Sequence, residues 1–310
     1  MNEKIMKGYQ TTPLTHREGL RESLTIVKVG GAVVEDELQL SQLLKDFSAI
    51  EGHKVLVHGG GRKATKMAER LGVETKMVNG RRITDSKMLE VVTMVYGGLV
   101  NKNLVARLQA NGINALGLTG ADANAIRSHK RPPVIIKEVP RPNATVVDGS
   151  AVNPDATVVD GSAVDTTIVD FGFVGDVDQA DGEMLSRIIE AGITPVMAPL
   201  THDGQGNILN TNADTIASET AKALAAYYDV TLIFSFEKKG VLLTPDDDDS
   251  VIPVITRTLF NKYKADGTIS GGMLPKIENA LAAVEAGVGR VIITLATAID
   301  GKHGTVIESE

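Results

Sequence analysis

From residue 24 onward, short apolar runs that end in glycine alternate with helical stretches. "LTIVKVGG" (24–31) precedes "ELQLSQLLKDFSAI", and "KVLVHGGG" (54–61) precedes "RKATKMAERLG". After a break the pattern resumes: "EMLSRIIEAG" and "ITPVMAPL", then "NADTIASETAKALAAYY" and "VTLIFSFEKKGVLL", then "GGMLPKIENALAAVEAG", "RVIITLA" and "GTVI". Runs of this length bounded by glycine read as buried strands. Repeated strand–helix units predict an α/β fold, a mostly parallel sheet with helices on both faces. In such sheets ligands bind beyond the carboxyl ends of the strands.

Within this pattern the spacing predicts a helix over 84–112, with Thr84 or Asp85 as N-cap and Gly112 as its stop. Before it, "ETKMVNGRRITD" carries Asn79-Gly80, a hairpin signal. The stretch from about 134 to 178 is β-branched and punctuated by Asp and Gly. It holds "ATVVDGSAV" twice, at 144–152 and 156–164. Two copies are too few for a solenoid, so this reads as a duplicated β insert at about 138–167 on the surface. "DDDD" at 246–249 reads as a solvated loop.

Composition narrows the function. The chain has 310 residues, 43% of them hydrophobic, so it can bury a sizeable core. A net charge of −7 and no Trp argue against nucleic acid as a partner. The absence of Cys removes disulfides, thiolate metal sites and Cys nucleophiles, and it fits a cytoplasmic protein. Residues 1–23 read as a polar N-terminal tail with no signal-peptide core. No apolar run is long enough to span a membrane.

Lys28 is the anomaly. An ammonium group in a central strand is costly unless something compensates it. It stands just before Gly30 and Gly31, and a second cluster, Gly59, Gly60 and Gly61, follows the next strand. Neither cluster makes GxGxxG or a Walker A loop. Glycine turns let backbone N–H groups approach an anion closely, although either cluster alone equally fits a tight strand-to-helix turn. Lys276 follows Gly271-Gly272 near a helix start. "NTNAD" (210–214) sets Asn210, Asn212 and Asp214 before another helix. Asp214 is either an N-cap or the carboxylate that holds both lysines. Arg81 and Arg82, after the Asn-Gly turn, are either a solvated pair or a carboxylate clamp. His58 reads as structural.

Taken in order, "KVGG" (28–31), "VHGGG" (57–61), "NGRRIT" (79–84), "FVGDV" (173–177), "NTNAD" (210–214) and "GGMLPK" (271–276) resemble the amino acid kinase family, on its acylglutamate branch. The resemblance implies an open three-layer αβα sandwich in two lobes. Residues 24–200 would bind the acylated amino acid, and 201–310 would bind ATP. It implies transfer of the γ-phosphoryl of MgATP to the side-chain carboxylate of an N-acyl-L-glutamate, the second step of arginine biosynthesis. It implies Lys28 and Lys276 as catalytic cations and Asp214 as their organiser. Gly30, Gly31, Gly59 and Gly60 would be phosphate-binding backbone, and Arg82, Asn210 and Asn212 substrate-binding. Mg²⁺ would travel with ATP, with no metal ligand from the protein. A homodimer, or a hexamer built on dimers, is implied as well.

Several departures bear on this. "SFEKKGVL" places Glu237 where the family commonly has Asp, so Glu237 and Gly240 are the expected nucleotide-loop residues. The tail has no match to the helix of arginine-regulated relatives, so arginine feedback is not expected. The acyl group stays open between acetyl and succinyl. A succinyl pocket should offer another cationic or polar partner, for which Arg81, Lys130 and Arg131 are candidates. Two other readings also stay open. One is a sister kinase acting on carbamate, aspartate, glutamate or uridylate, which the absence of an appended domain after "GTVI" weighs against in part. The other is an inactive sensor, which the presence of Lys28, Asp214 and Lys276 weighs against.

Overall fold

The structure, a computed structural model, describes residues 21–310 except 79, 138–157, 160–161, 164–165 and 245. In chain order the strands are β1 (Ser23–Val29), β2 (His53–His58), β3 (Lys76–Val78), β4 (Arg81–Ile83), β5 (Ala115–Leu118), β6 (Ile126–Lys130), β7 (Val134–Lys137), β8 (Val158–Val159) and β9 (Ser162–Ala163). They continue with β10 (Thr166–Val169), β11 (Gly175–Ala180), β12 (Thr194–Met197), β13 (Leu200–His202), β14 (Ile208–Asn210), β15 (Asp229–Phe236), β16 (Val254–Ile255), β17 (Arg290–Leu295) and β18 (Thr305–Ile307). The helices are α1 (Gly31–Glu35), α2 (Glu37–Ala49), α3 (Gly61–Arg70), α4 (Ser86–Val92), α5 (Asn101–Ala110), α6 (Gly182–Glu190), α7 (Ala213–Leu224), α8 (Arg257–Ala265) and α9 (Met273–Glu285).

Eight strands form one sheet in the order β16-β18-β17-β15-β1-β2-β12-β5. Every pairing in it is parallel except β17 with β18. β1 lies inside the sheet, paired along one edge with β15 and along the other with β2, and helices cover its two faces. Leu24 and Ile26 face a core built with α6, α7, α8 and α9. Val27 and Val29 face the other, built with α1 to α5. Alternate side chains point to opposite faces, which is why a central parallel strand reads as a continuous apolar run. The two cores thus divide by sheet face, and the helices sort with them in chain order, α1 to α5 on one face and α6 to α9 on the other. The boundary expected between residues 200 and 201 falls inside β13, which pairs with β14 and β6.

The expected helix over 84–112 forms, capped by Asp85, whose carboxylate accepts from the Met88 amide at 2.8 Å. It is not α-helical throughout: Thr93–Val100 is a π-helix joining α4 to α5. Gly97 and Gly98 lie inside that turn, where the low helix propensity of glycine eases a change of winding. α8 forms from a stretch with no helix expectation, "TRTLFNKYKA" (256–265), and is capped by Thr256. The predicted hairpin forms between β3 and β4, with Val78 opposite Arg81 and Gly80 at φ 74°. Asn79 lies outside the described residues. So does the first insert copy at 144–152. The second copy supplies β8 and β9, paired antiparallel with Val158 opposite Ala163. β7 and β10 pair at the base of the insert.

Candidate active site

β1 and β2 run side by side, with Lys28 opposite Val57, and both end in glycine turns at the same edge. The turns touch: the Gly59 amide donates to the Val29 carbonyl at 3.0 Å. A side chain on Gly59 would stand 3.2 Å from the Gly31 nitrogen, and one on Gly31 would stand 3.7 Å from the nitrogens of Gly60 and Gly61. The Gly59 approach is tighter than a side chain usually allows, while a Cβ on Gly31 would make ordinary contact, and the two turns keep their N–H groups clustered. α3 starts at Gly61, so its N-terminus adds partial positive charge here.

Lys28 is even-numbered in the alternation of Leu24 and Ile26, so it points to the face carrying α7 and α9. There Asp214, in the first turn of α7, lies with its Oδ1 2.6 Å from Lys28 Nζ, an ion pair off the ideal hydrogen-bond direction. Lys276, in the first turns of α9, donates to Asp214 Oδ2 at 2.7 Å. One carboxylate therefore holds two ammonium groups that come from elements 248 residues apart in sequence. Burial alone would raise the Asp214 carboxyl. Its attraction to Lys28 and Lys276 outweighs this and holds it at about 2. Burial lowers the Lys28 ammonium, against the pull of Asp214. The array keeps a net positive charge beside the glycine turns.

The open question about Asp214 is decided by its neighbour. Asn212 caps α7, its Oδ1 accepting from the amides of Asp214 at 2.7 Å and Thr215 at 3.3 Å. Asp214 is thereby free for the lysines. Asn212 lines the adjoining cavity, but its carbonyl oxygen is engaged by that cap.

That cavity, of about 210 Å³, is bounded by Gly59 to Gly61, the β3–β4 hairpin, Tyr96, Arg131, Asp176 and Asn210. Arg82 is 8% exposed, so it is no solvated hairpin residue. Its Nη2 donates to the Gly61 carbonyl and to Thr65 Oγ1, both at 2.9 Å, and its Nη1 to Thr75 Oγ1 at 3.4 Å. These partners are neutral. A buried guanidinium without a carboxylate is an unmet charge, and the cavity beside it suits an anion. Asn210 donates its amide to Thr84 Oγ1 at 2.9 Å, tying the cavity floor to the hairpin.

Glu237 and Gly240 lie elsewhere on the sheet edge. Glu237 pairs at 3.3 Å with Arg62 of α3, both exposed. Gly240 is buried, and a Cβ there would stand 2.8 Å from Thr305 Oγ1 and from Val251 Cγ1. Its missing side chain serves the packing of that loop on β18. His58 is fully buried, its Nδ1 2.9 Å from the Gly59 carbonyl and its Nε2 facing the Asn101 amide nitrogen at 3.1 Å. Burial lowers it to about 4, so it stays neutral.

Sequence reasoning missed Tyr96 and Asp176. Tyr96 comes from the π-helix, its ring against Gly60 and its hydroxyl beside Arg82; burial raises its pKa and Arg82 opposes this. Asp176 lies inside "FVGDV", and Arg131 grips it through Nε at 3.1 and 3.0 Å and through a further contact from Nη2. A Tyr in the middle of an apolar helix carries no local signal that it faces a cavity.

No group of three or more His, Asp or Glu side chains able to hold a metal ion stands together among the described residues. Both oxygens of the Asp214 carboxylate face lysines. Among those residues, too, no helix is long and apolar enough to cross a membrane.

Residues 23–295 match the family model described as "Amino acid kinase family". The chain is 60% identical over 289 residues to a protein from Bacteroides thetaiotaomicron named acetylglutamate kinase, covering 93% of this chain and 100% of that one. It is 36% identical over 284 residues to an acetylglutamate kinase from Methanopyrus kandleri, covering 92% and 100%. A crystal structure of a protein from Streptococcus mutans UA159 superposes with a TM-score of 0.67 at 28% identity, covering 92% of this chain and 98% of that one. A carbamate kinase from Giardia lamblia bound to AMP-PNP superposes with a TM-score of 0.56 at 14% identity, covering 94% and 99%, a likeness of fold alone.

Proposed function

The chain belongs to the amino acid kinase family, and from that we propose that it transfers the γ-phosphoryl group of ATP to the side-chain carboxylate of an N-acyl-L-glutamate such as N-acetyl-L-glutamate, a step of arginine biosynthesis. The observation that carries this reading is the Lys28–Asp214–Lys276 array, set between two abutting glycine turns and a cavity holding the buried, unpaired Arg82. Relatives 57–60% identical that bear the name acetylglutamate kinase support the acceptor.

The chemistry follows from the residues. The acceptor carboxylate has a reference pKa of about 4.3 and is ionised at neutral pH, so no general base is needed, and neutral His58 fits that. A carboxylate oxygen attacks the γ-phosphorus while the bond to the β–γ bridging oxygen breaks. ADP departs with that electron pair, and an acyl phosphate forms. The obstacle is the approach of two anions. Fixed cations and backbone dipoles lower it where the equatorial oxygens redistribute charge. In this reading Lys28 faces the transferring group and Lys276 the nucleotide phosphates. Gly30, Gly31, Gly59 and Gly60 donate N–H groups to those phosphates. Arg82 takes the α-carboxylate and Asn210 the amide region, so that the acceptor oxygen is held in line. Glu237 borders the nucleotide loop, with Gly240 packed behind it. Mg²⁺ would travel with ATP, on its phosphates.

We further propose a division into an acyl-substrate lobe and a nucleotide lobe, meeting where β1 pairs with β15. A homodimer, or a hexamer built on dimers, in the cytoplasm completes the reading. The test is an acyl-phosphate assay with hydroxylamine trapping, using MgATP and N-acetyl-L-glutamate. ATP-dependent hydroxamate is the expected result. No hydroxamate from acylated glutamates, with turnover of carbamate, aspartate or free glutamate, would replace the acceptor.

A further inference from the structure

If the acceptor is an acylglutamate, as proposed above, the charges around the cavity bear on its acyl group. The charged residues lining it are Arg81, Arg82, Arg131 and Asp176. Three guanidinium groups face one carboxylate, which leaves two positive charges in excess. N-acetyl-L-glutamate has two carboxylates. One is the phosphoryl acceptor and lies toward Lys28; the other answers Arg82. The second excess charge then meets nothing but a methyl group.

That charge resides in the Arg81–Arg131–Asp176 cluster. Successive side chains on β4 point to opposite sides. Arg82 turns in against α3, and Arg81 turns toward β11, where Asp176 stands. Asp176 is committed to Arg131 through both of its oxygens. Arg81 makes no hydrogen bond or ion pair of its own among the described residues. It feels attraction from Asp176 and repulsion from Arg131, and partial burial together with Arg131 lowers its pKa. Arg81 is exposed where it lines the cavity, so solvent hydrates its guanidinium and leaves it open to an incoming carboxylate. Lys130, the other cation considered from sequence, is drawn away: it lies 3.9 Å from Asp170 and 5.7 Å from the Phe173 ring, outside the cavity lining.

We propose that the acyl group of the substrate is dicarboxylic, succinyl being the test case, and that Arg81 binds its terminal carboxylate with the Arg131–Asp176 pair fixed behind it. A guanidinium presents a planar fork that matches a carboxylate with two parallel hydrogen bonds. A site built to pair a charged group discriminates strongly against an analogue lacking that group.

The test compares kcat/KM for N-succinyl- and N-acetyl-L-glutamate in the same hydroxamate assay, for the native chain and for Arg81→Met, which keeps length and removes charge. The native chain should favour the succinyl substrate by about 10-fold or more. Arg81→Met should lower kcat/KM for succinyl at least about 10-fold more than for acetyl, chiefly through KM. A native preference for acetyl, equal use of both, or an equal loss with both in the variant would overturn the proposal while leaving the kinase reading intact. Turnover of neither by the native chain would overturn both. The native ratio decides the matter even where the variant does not fold.

Discussion

Lys28 keeps an ammonium group where burial works against it, and Asp214 is the reason it can. Lys28→Ala should lower kcat by about 10²-fold or more while changing KM for the acyl substrate little; retention of most turnover would remove it from the chemistry. Because burial lowers the Lys28 ammonium below its ordinary 10.5, kcat/KM, which reports the free enzyme, should fall on the alkaline side at a pH below that value. An alkaline limb at or above it would contradict the burial argument. Asp214 is the mirror case. Its carboxyl is held at about 2 against an ordinary 3.8, so its stabilisation is fully present above pH 3.8 and is lost as pH falls toward 2. Asp214→Asn leaves two lysines without their carboxylate and should cost about 3–5 kcal/mol at pH 7. Denaturant unfolding of the variant checks this, and a cost near zero would show that the lysines find other partners. Arg82→Ala should raise KM for the acyl substrate with kcat little changed. Lys28 was legible in the sequence because a lysine in an apolar strand is anomalous, whereas Asp214 beside a helix start looked the same as an ordinary N-cap. The Asn212 cap was not legible, since Asn and Asp cap helices equally well and only geometry assigns the position.

At the scale of elements, the glycine turns and the π-helix form one unit. Gly60 has an extended φ of 173° that any residue adopts, so its constraint is steric. A Cβ there would stand 2.9 and 3.1 Å from Tyr96 ring atoms. Gly60→Ala should push that ring off Arg82 and cost about 1–3 kcal/mol of packing, read as a raised KM for the acyl substrate and a lower melting temperature. An unchanged KM would mean that the ring moves without consequence. π-helical segments are rare and frequently sit at functional sites, and here one of eight residues delivers Tyr96 to the cavity. The strands and most helices were legible because their period and glycine punctuation are local properties. The π-helix was not: its residues have the apolar spacing of any buried helix, and its winding answers to the neighbours it packs against. α8 was missed for a related reason, since its burial rests largely on Phe260.

For the whole molecule, the insert is the feature most easily separated from the rest. β7 and β10 pair with Lys137 opposite Thr166, so the chain leaves and re-enters the described structure at adjacent positions. Deleting 138–165 and closing the gap with a two- to four-residue turn should leave the melting temperature within a few degrees and acyl-phosphate formation intact. A large loss of either would give the insert a part in the core or the site. By itself the sequence determined the α/β class, the central strand with its lysine, the glycine turns and the hairpin, because backbone pattern, φ preference and burial act over a few residues. It also held every residue of the Lys28–Asp214–Lys276 array. The tertiary structure alone decided that one carboxylate serves both lysines, that the cores divide by sheet face, and that Asp176 at the cavity wall is taken by Arg131 while Arg81 stands beside the pair. Those are long-range encounters between charges, and local sequence does not encode which partner a charge will meet.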